Sequence, residues 1–259
     1  MKTVFLTNSS FSAKFLANRL SERGLLDAII IEETSTKIFA KILREFNSTS
    51  WIKFPEKILD ILAIWVYSKL VNRYIETRLL KPSNIKSFPE AINFYKVKSV
   101  SDSQCLSILN SLEPELIIVF GTSILKGKIL SIAKYFTLNI HGGIVPKYRN
   151  VHSDFWAISK NDLKNIGTSI IHLDPGIDTG DVAIQEIVDI DSMDSIFSIK
   201  RKNIELSLRL ITQAIEMANS ENLPKIPQKK IINSFYKTPG YLDFLKLIWS
   251  NHKILNYFS

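Results

Sequence analysis

The chain has 259 residues, 46% hydrophobic and 22% charged, the make-up of a globular protein with a real core: one large domain, or one domain with an added piece. A single cysteine, Cys105, excludes a disulfide framework and a four-thiolate zinc site and points to a reducing, cytoplasmic setting. The net charge of +8 is uneven: residues 37–98 hold twelve Lys/Arg against five Asp/Glu, a patch suited to tRNA, a phosphorylated metabolite or an anionic membrane surface, although a plainly solvated face explains the same charges.

The N-terminus MKTVFLTNSS enters an apolar run too short for a signal-peptide core, so residues 3–7 are expected as a first strand. Residues 10–23 are expected as a helix, with Phe11, Phe15, Leu16 and Leu20 at helical spacing, capping residues at Asn8, Ser9 and Ser10, and Gly24 as a stop. AIIIE, residues 28–32, is expected as a second strand. Residues 37–80 are expected as consecutive helices, broken near Asn47–Ser50 and at Pro55. Their densest apolar run, ILDILAIWVY, is far shorter than the roughly 20 residues a membrane span needs. It suits a buried helix or one lying on a membrane surface, with 51–80 as the contact.

Further along, 92–97 is expected as a short strand, 101–112 as a helix ending before Pro114, and LIIVFG, 116–121, as a central parallel strand. A helix over 123–134, a strand over 136–141 and a helix over 152–160 follow. GTSIIHL and VAIQEIVDI (167–173 and 182–190) form a strand pair joined by DPGIDTGD, and 193–218 forms a long helix. This alternation predicts an α/β fold with a doubly wound, mostly parallel sheet. The expected organisation is a catalytic domain over 1–219, with a basic helical insertion at about 37–90, and a short helical C-terminal extension over 220–259.

The first strand–helix turn, LTNSS, has no G-x-G-x-x-G, and no G-x-x-x-x-G-K-[ST] occurs, which argues against a dinucleotide or P-loop site. Ser9 and Ser10 suit an anion at a helix N-terminus, or serve as plain caps. The absence of G-x-S-x-G argues against a serine hydrolase. DPGIDTGD lacks EF-hand spacing, and His152 and His172 form no metal-ligand spacing with the other histidines. What remains is a set of groups near strand ends. Asn139 and His141 sit two apart and share one face of a strand; Asp178 follows in the acidic loop. An amide donor, an imidazole and a carboxylate together suit acyl-type transfer to nitrogen without a covalent enzyme intermediate.

NIHGGIVPKYR followed by GTSIIHLDPGIDTGD resembles the formyltransferase family, closely over about residues 114–190 and loosely at the first strand–helix unit. The resemblance implies a Rossmann-like domain that transfers a formyl group from N10-formyltetrahydrofolate to a primary amine, with Asn139, His141 and Asp178 as the catalytic residues. It implies donor binding by Gly121, Thr122, Ser123, Ile124 and Leu125, with Asp174, Gly176 and Ile177 closing over the pterin. Acceptor contacts are expected from Ser9, Ser10, Gly142, Gly143, Tyr148 and Arg149. The chain departs from many members in having Gly142-Gly143-Ile144-Val145 after the histidine and Asn150 after Arg149.

The family's acceptors include glycinamide ribonucleotide, methionyl-tRNA and amino sugars. A tRNA acceptor is disfavoured because only about 70 residues follow the last core strand, fewer than the extra β-barrel of such members needs. A phosphorylated or nucleotide-linked amino sugar is the expected small-molecule acceptor. An inactive folate- or nucleotide-binding module and a peripheral membrane protein are the expectations of other classes.

Overall fold

The structure, a computed structural model, describes residues 1–33 and 53–250. The helices expected within 37–52, with their break at Asn47–Ser50, and the tail over 251–259 lie outside the described residues.

Strands β1 (Thr3–Asn8), β2 (Ala28–Glu32), β3 (Asn93–Val97), β4 (Leu116–Phe120), β5 (Phe136–His141), β7 (Gly167–His172) and β8 (Val182–Ile187) make one sheet in the order β3-β2-β1-β4-β5-β7-β8. β3 through β5 are mutually parallel; β7 runs antiparallel to β5, and β8 antiparallel to β7. Two short strands, β6 (Arg149–Asn150) and β9 (Phe235–Tyr236), pair in parallel as a separate ribbon. The helices are α1 (Phe11–Glu22), α2 (Phe54–Ile75), α3 (Ser103–Leu112), α4 (Ser153–Ser159), α5 (Ile196–Asn219) and α6 (Tyr241–Ser250). The doubly wound, mostly parallel sheet expected from the alternating pattern is what the chain forms.

The central strands are apolar on both sides, and the period of two sorts their side chains into two cores. Phe5, Ile29, Ile31, Leu116, Ile118, Leu138 and Ile140 face a core shared with α1, α4 and α5. Val4, Leu6, Ile30, Ile117 and Val119 face the opposite core with Cys105 and Leu109 of α3. Helix starts follow from local hydrogen bonding. Ser10 Oγ accepts from Ala13 N at 3.2 Å, Asp102 Oδ1 from Cys105 N at 2.8 Å, and Ser195 forms a reciprocal capping box with Ser198 on α5. Tyr74 and Ile75 of α2 are buried in the main core. Among the described residues, no helix is long and apolar enough to cross a membrane.

The helix boundary expected at Pro55 coincides with the start of α2: Pro55 sits in the first turn, where its missing N–H is not needed, and the helix runs 22 residues into a π-turn at Glu76–Leu80. Two expectations are corrected. The helix expected over 123–134 is a loop followed by a 3-10 turn at Gly127–Ser131. Lys126 is extended, Gly127 has φ +65°, and the preceding backbone is engaged by side chains from elsewhere. The strand expected to 190 ends at Ile187.

Gly167, at the start of β7, has no room for a methyl group: a Cβ there would press into the Glu186 carbonyl and come within 2.7 Å of Ile144 Cδ1. Gly167→Ala is expected to destabilise the fold by about 2 kcal/mol, since an overpacked core site costs about that much. The reading is a lower denaturant midpoint at unchanged m-value.

Candidate functional site

β5 delivers Asn139 and His141 to one face of the sheet, beside Val119 of β4. Asp178 does not arrive from a third strand end on the same edge, as the sequence suggested. β7 is antiparallel, so its carboxyl end lies level with Leu138 and Thr137, where Leu173 N donates to the Thr137 carbonyl at 2.8 Å. The 173–181 loop then folds back across the sheet face to reach Asn139 and His141.

The contacts there are direct. Asn139 Nδ2 donates to Asp178 Oδ1 at 3.2 Å, and His141 Nδ1 lies 3.4 Å from Asp178 Oδ2. Asp178 Oδ2 also accepts from Asn150 N at 2.8 Å. His141 Nε2 lies 2.7 Å from the Tyr148 carbonyl and 3.3 Å from Ser153 Oγ. Both ring nitrogens are thus engaged by oxygen atoms. The His141 and Asp178 side chains are 6% and 10% exposed, so water screens the pair little.

Asp178 has φ +51° and Asn150 φ +76°, left-handed conformations that Asp and Asn tolerate better than bulky residues. Side chains from distant segments hold that backbone in place. Arg149 Nε and Nη2 donate to the Ile177 carbonyl at 2.9 and 2.7 Å, and Gln228 Nε2 donates to the Asp178 and Gly180 carbonyls at 3.1 and 2.6 Å. Asp174 closes the loop on itself, accepting from Gly176 N at 3.1 Å and from Thr179 Oγ1 at 2.8 Å.

Opposite lies the β4 loop. Gly121, Thr122, Ser123, Ile124 and Leu125 share with Asn139, His141, Gly142, Asp174, Gly176, Ile177 and Asp178 the lining of a cleft of about 270 Å³, small for a ligand site but roomy enough for a flat heterocycle. Gly121 has φ +68°, and a Cβ there would come within 2.8 Å of Asn8 Nδ2, which donates to the Gly121 carbonyl at 2.6 Å. Beneath this loop sits Glu32, 2% exposed. Its carboxylate accepts from Ser123 N at 2.7 Å, Ser123 Oγ at 2.6 Å and Val100 N at 3.0 Å. Ser101 adds a brace, donating to the Ile124 carbonyl and accepting from Lys126 N, both at 3.0 Å.

The residues expected on the acceptor side are more scattered. Gly142 lines the cleft. Gly143 packs on Ser153, and a Cβ there would come within 2.8 Å of His141 Nε2. The Tyr148 ring is buried, stacked 5.2 Å from Tyr236 with its hydroxyl donating to Asp162 Oδ2 at 2.8 Å, so only its carbonyl meets the site. Arg149 is committed to Ile177. Ser10 serves as the α1 cap, and Ser9 borders a different hollow, beside Lys14 and Lys86; neither lines the cleft. A larger hollow of about 790 Å³ between α2 and residues 235–246 contains none of Asn139, His141 and Asp178.

Sequence reasoning missed Glu32, Ser153 and Gln228. A carboxylate ending an otherwise apolar strand, AIIIE, was a usable signal for Glu32; nothing local marks the other two.

Residues 61–215 match the model of a family described as formyl transferase. The chain belongs to the formyl transferase family. It is 30% identical over 168 residues to a methionyl-tRNA formyltransferase of Pelotomaculum thermopropionicum, covering 64% of this chain and 51% of the relative. It is 32% identical over 160 residues to the Methylacidiphilum infernorum protein of the same name, covering 60% and 49%. The chain thus spans about half the length of these curated relatives. Among solved structures, a sugar N-formyltransferase from Shewanella superposes with TM-score 0.58 at 11% identity, over 96% of this chain and 87% of that one. A phosphoribosylglycinamide formyltransferase from Bacillus halodurans superposes with TM-score 0.55 at 16% identity, over 86% and 98%. At such identities the likeness concerns the fold alone. The formyl transferase family membership fits a cleft that sets an amide, an imidazole and a carboxylate between two braced loops.

A second polar cluster lies just past the β6 ribbon. His152 starts α4 with φ +55°, its ring 6.3 Å from that of Tyr67. Asp154 is 2% exposed, and its Oδ2 has the Lys200 ammonium at 2.9 Å and no other partner among the described residues. Burial works against the Asp154 carboxylate, but Lys200 outweighs it and holds the group below its ordinary range. Burial also drives the His152 imidazole down, to about 4.

Two outcomes are expected. Glu32→Ala strands two N–H groups and a hydroxyl and should loosen the 121–125 loop, read as faster amide exchange at Ser123 than elsewhere in the sheet. As for pH, the unfolded chain protonates His152 near 6.5 and the folded chain only near 4. Between those values the unfolded state binds more protons, so this contribution is full above 6.5 and shrinks as pH falls to 4. His152→Asn, which tolerates the left-handed backbone, should flatten the stability–pH curve in that window relative to the parent.

Proposed function

We propose that the chain transfers a formyl group from N10-formyltetrahydrofolate to the primary amine of a small nucleotide-linked amino sugar. The observation that carries this reading is the joining of Asn139, His141 and Asp178 in one cleft. As the amine adds to the formyl carbon, charge builds on the formyl oxygen. One Asn139 Nδ2 hydrogen is committed to Asp178, and the second is the donor aimed at that oxygen. His141 has both nitrogens engaged in this geometry, so it acts on the oxygen through the field of a ring held by Asp178. Asp178 takes the proton the amine must lose, directly or through one water, and that proton leaves with the donor nitrogen as the carbon–nitrogen bond to the folate breaks. The braced loops 121–125 and 173–181 form the apolar-walled slot for the pterin, with backbone groups facing its edge.

Supporting a sugar acceptor are folds that match over nearly the whole chain, among them an N-formyltransferase from Helicobacter canadensis whose own structure holds folinic acid and dTDP-3-aminofucose, at TM-score 0.55 and 17% identity. A second reading, methionyl-tRNA as acceptor, draws on the sequence relatives described above. Following tetrahydrofolate release with nucleotide amino sugars, glycinamide ribonucleotide and Met-tRNA separates the readings: turnover is expected with an amino sugar, and turnover with Met-tRNA alone would reverse the assignment.

His141→Ala and Asp178→Asn are each expected to lower formyl transfer by about 100-fold or more, the range for losing a charge-stabilising or proton-moving group. Binding of 5-formyltetrahydrofolate, read as thermal protection, should persist. Wild-type turnover in either variant would falsify the mechanism.

A further inference from the structure

The face of α2 turned away from the core is apolar. Leu59, Leu62, Trp65, Val66 and Leu70 recur at helical spacing and are each 40–48% exposed. Helix α6 packs against α2 and carries exposed apolar side chains of its own, Leu242 and Leu245, each 49% exposed, and Trp249, 85% exposed. Eight large apolar side chains thus stand exposed on two adjoining helices, a concentration that marks an interaction surface. α2 is also long, about 33 Å at 1.5 Å per residue, and lies along the surface.

The surrounding charge selects the partner. Residues 53–81 and 235–249, which carry the two helices and the segment leading into α6, hold eight Lys/Arg against four Asp/Glu. Two of those four carboxylates are used internally: Asp60 accepts from Tyr241 N and Asp243 from Gly240 N, both at 2.9 Å. Lys69 lies 4.1 Å over the Trp65 ring, placing a cation directly beside an exposed aromatic. A second copy of the chain would bring the same basic border against itself, whereas an anionic surface neutralises it.

We propose that the α2–α6 face docks on an anionic membrane surface, its Leu and Trp side chains entering the headgroup boundary and its Lys and Arg meeting lipid phosphates. The contact lies in the plane of the bilayer and spans nothing. It stands independently of the formyl-transfer reading.

Flotation of the full chain with phosphatidylcholine vesicles, with and without phosphatidylglycerol, tests this. Recovery with the anionic vesicles is expected to exceed that with phosphatidylcholine by about tenfold and to fall as salt rises, since salt screens the attraction between basic side chains and lipid phosphates. The double variant Leu245→Asp, Trp249→Asp alters only exposed positions; it should keep the parent's unfolding temperature and lose flotation. Three results overturn the proposal: no flotation, equal flotation of the variant, or a dimer at the assay concentration that the same variant breaks. Protection of the parent's Trp fluorescence from iodide before vesicles are added, unchanged in a Trp249→Phe control, would equally overturn it, by showing the face already covered.

Discussion

One carboxylate organises the cleft. Asp178 binds Asn139 through one oxygen, and His141 and the Asn150 N–H through the other. Those contacts fasten the acidic loop to β5 and to the β6 ribbon at once. An aspartate so placed needs fixed backbone, and that comes from far along the chain: Arg149 grips the carbonyl before it, and Gln228 the carbonyls at and beyond it. In a nearly dry site, losing one anchor leaves polar groups without partners, so the loop and the centre stand or fall together. Glu32 does the same for the facing loop, collecting Ser123 and Val100 at the end of β2. The cleft is the gap between two loops, each held by a buried carboxylate.

Much of this was legible in the sequence because it depends on local pattern. The apolar run LIIVFG marked a central parallel strand and AIIIE a second strand, and Asn8, Ser9 and Ser10 marked the start of α1. Asn139 and His141 two apart meant a shared face. The pairing of His141 with a distant aspartate was legible only through the family pattern, since nothing local links residues 37 apart in sequence.

What was not legible depends on tertiary context. No periodicity distinguishes β7 as antiparallel, yet that reversal decides from which side Asp178 arrives. Residues 123–134 have a helix-like spacing of apolar side chains. They do not form a helix because Glu32 and Ser101 take the backbone N–H groups of Ser123 and Lys126, and Gly127 breaks the run. Tyr148 shows the limit from the other side. Its ring is buried against Tyr236, and only its carbonyl, identical in every residue, reaches His141.

The C-terminal segment links the cleft to the apolar face. Gln228 holds the Asp178 loop, the Tyr236 carbonyl accepts from Asn150 Nδ2 at 2.7 Å, and the next turn begins α6. Such continuity does not by itself make membrane contact a regulator, because coupling requires an element with two arrangements that both sites bias. Gln228 and Tyr236 are tied down by backbone hydrogen bonds, and α6 by the packing of Phe244 and Leu247 on the core. Docking through α2 and α6 would therefore fix the direction in which the cleft faces the surface and leave its chemistry unchanged. That orientation matters if the amine acceptor is itself delivered along the membrane.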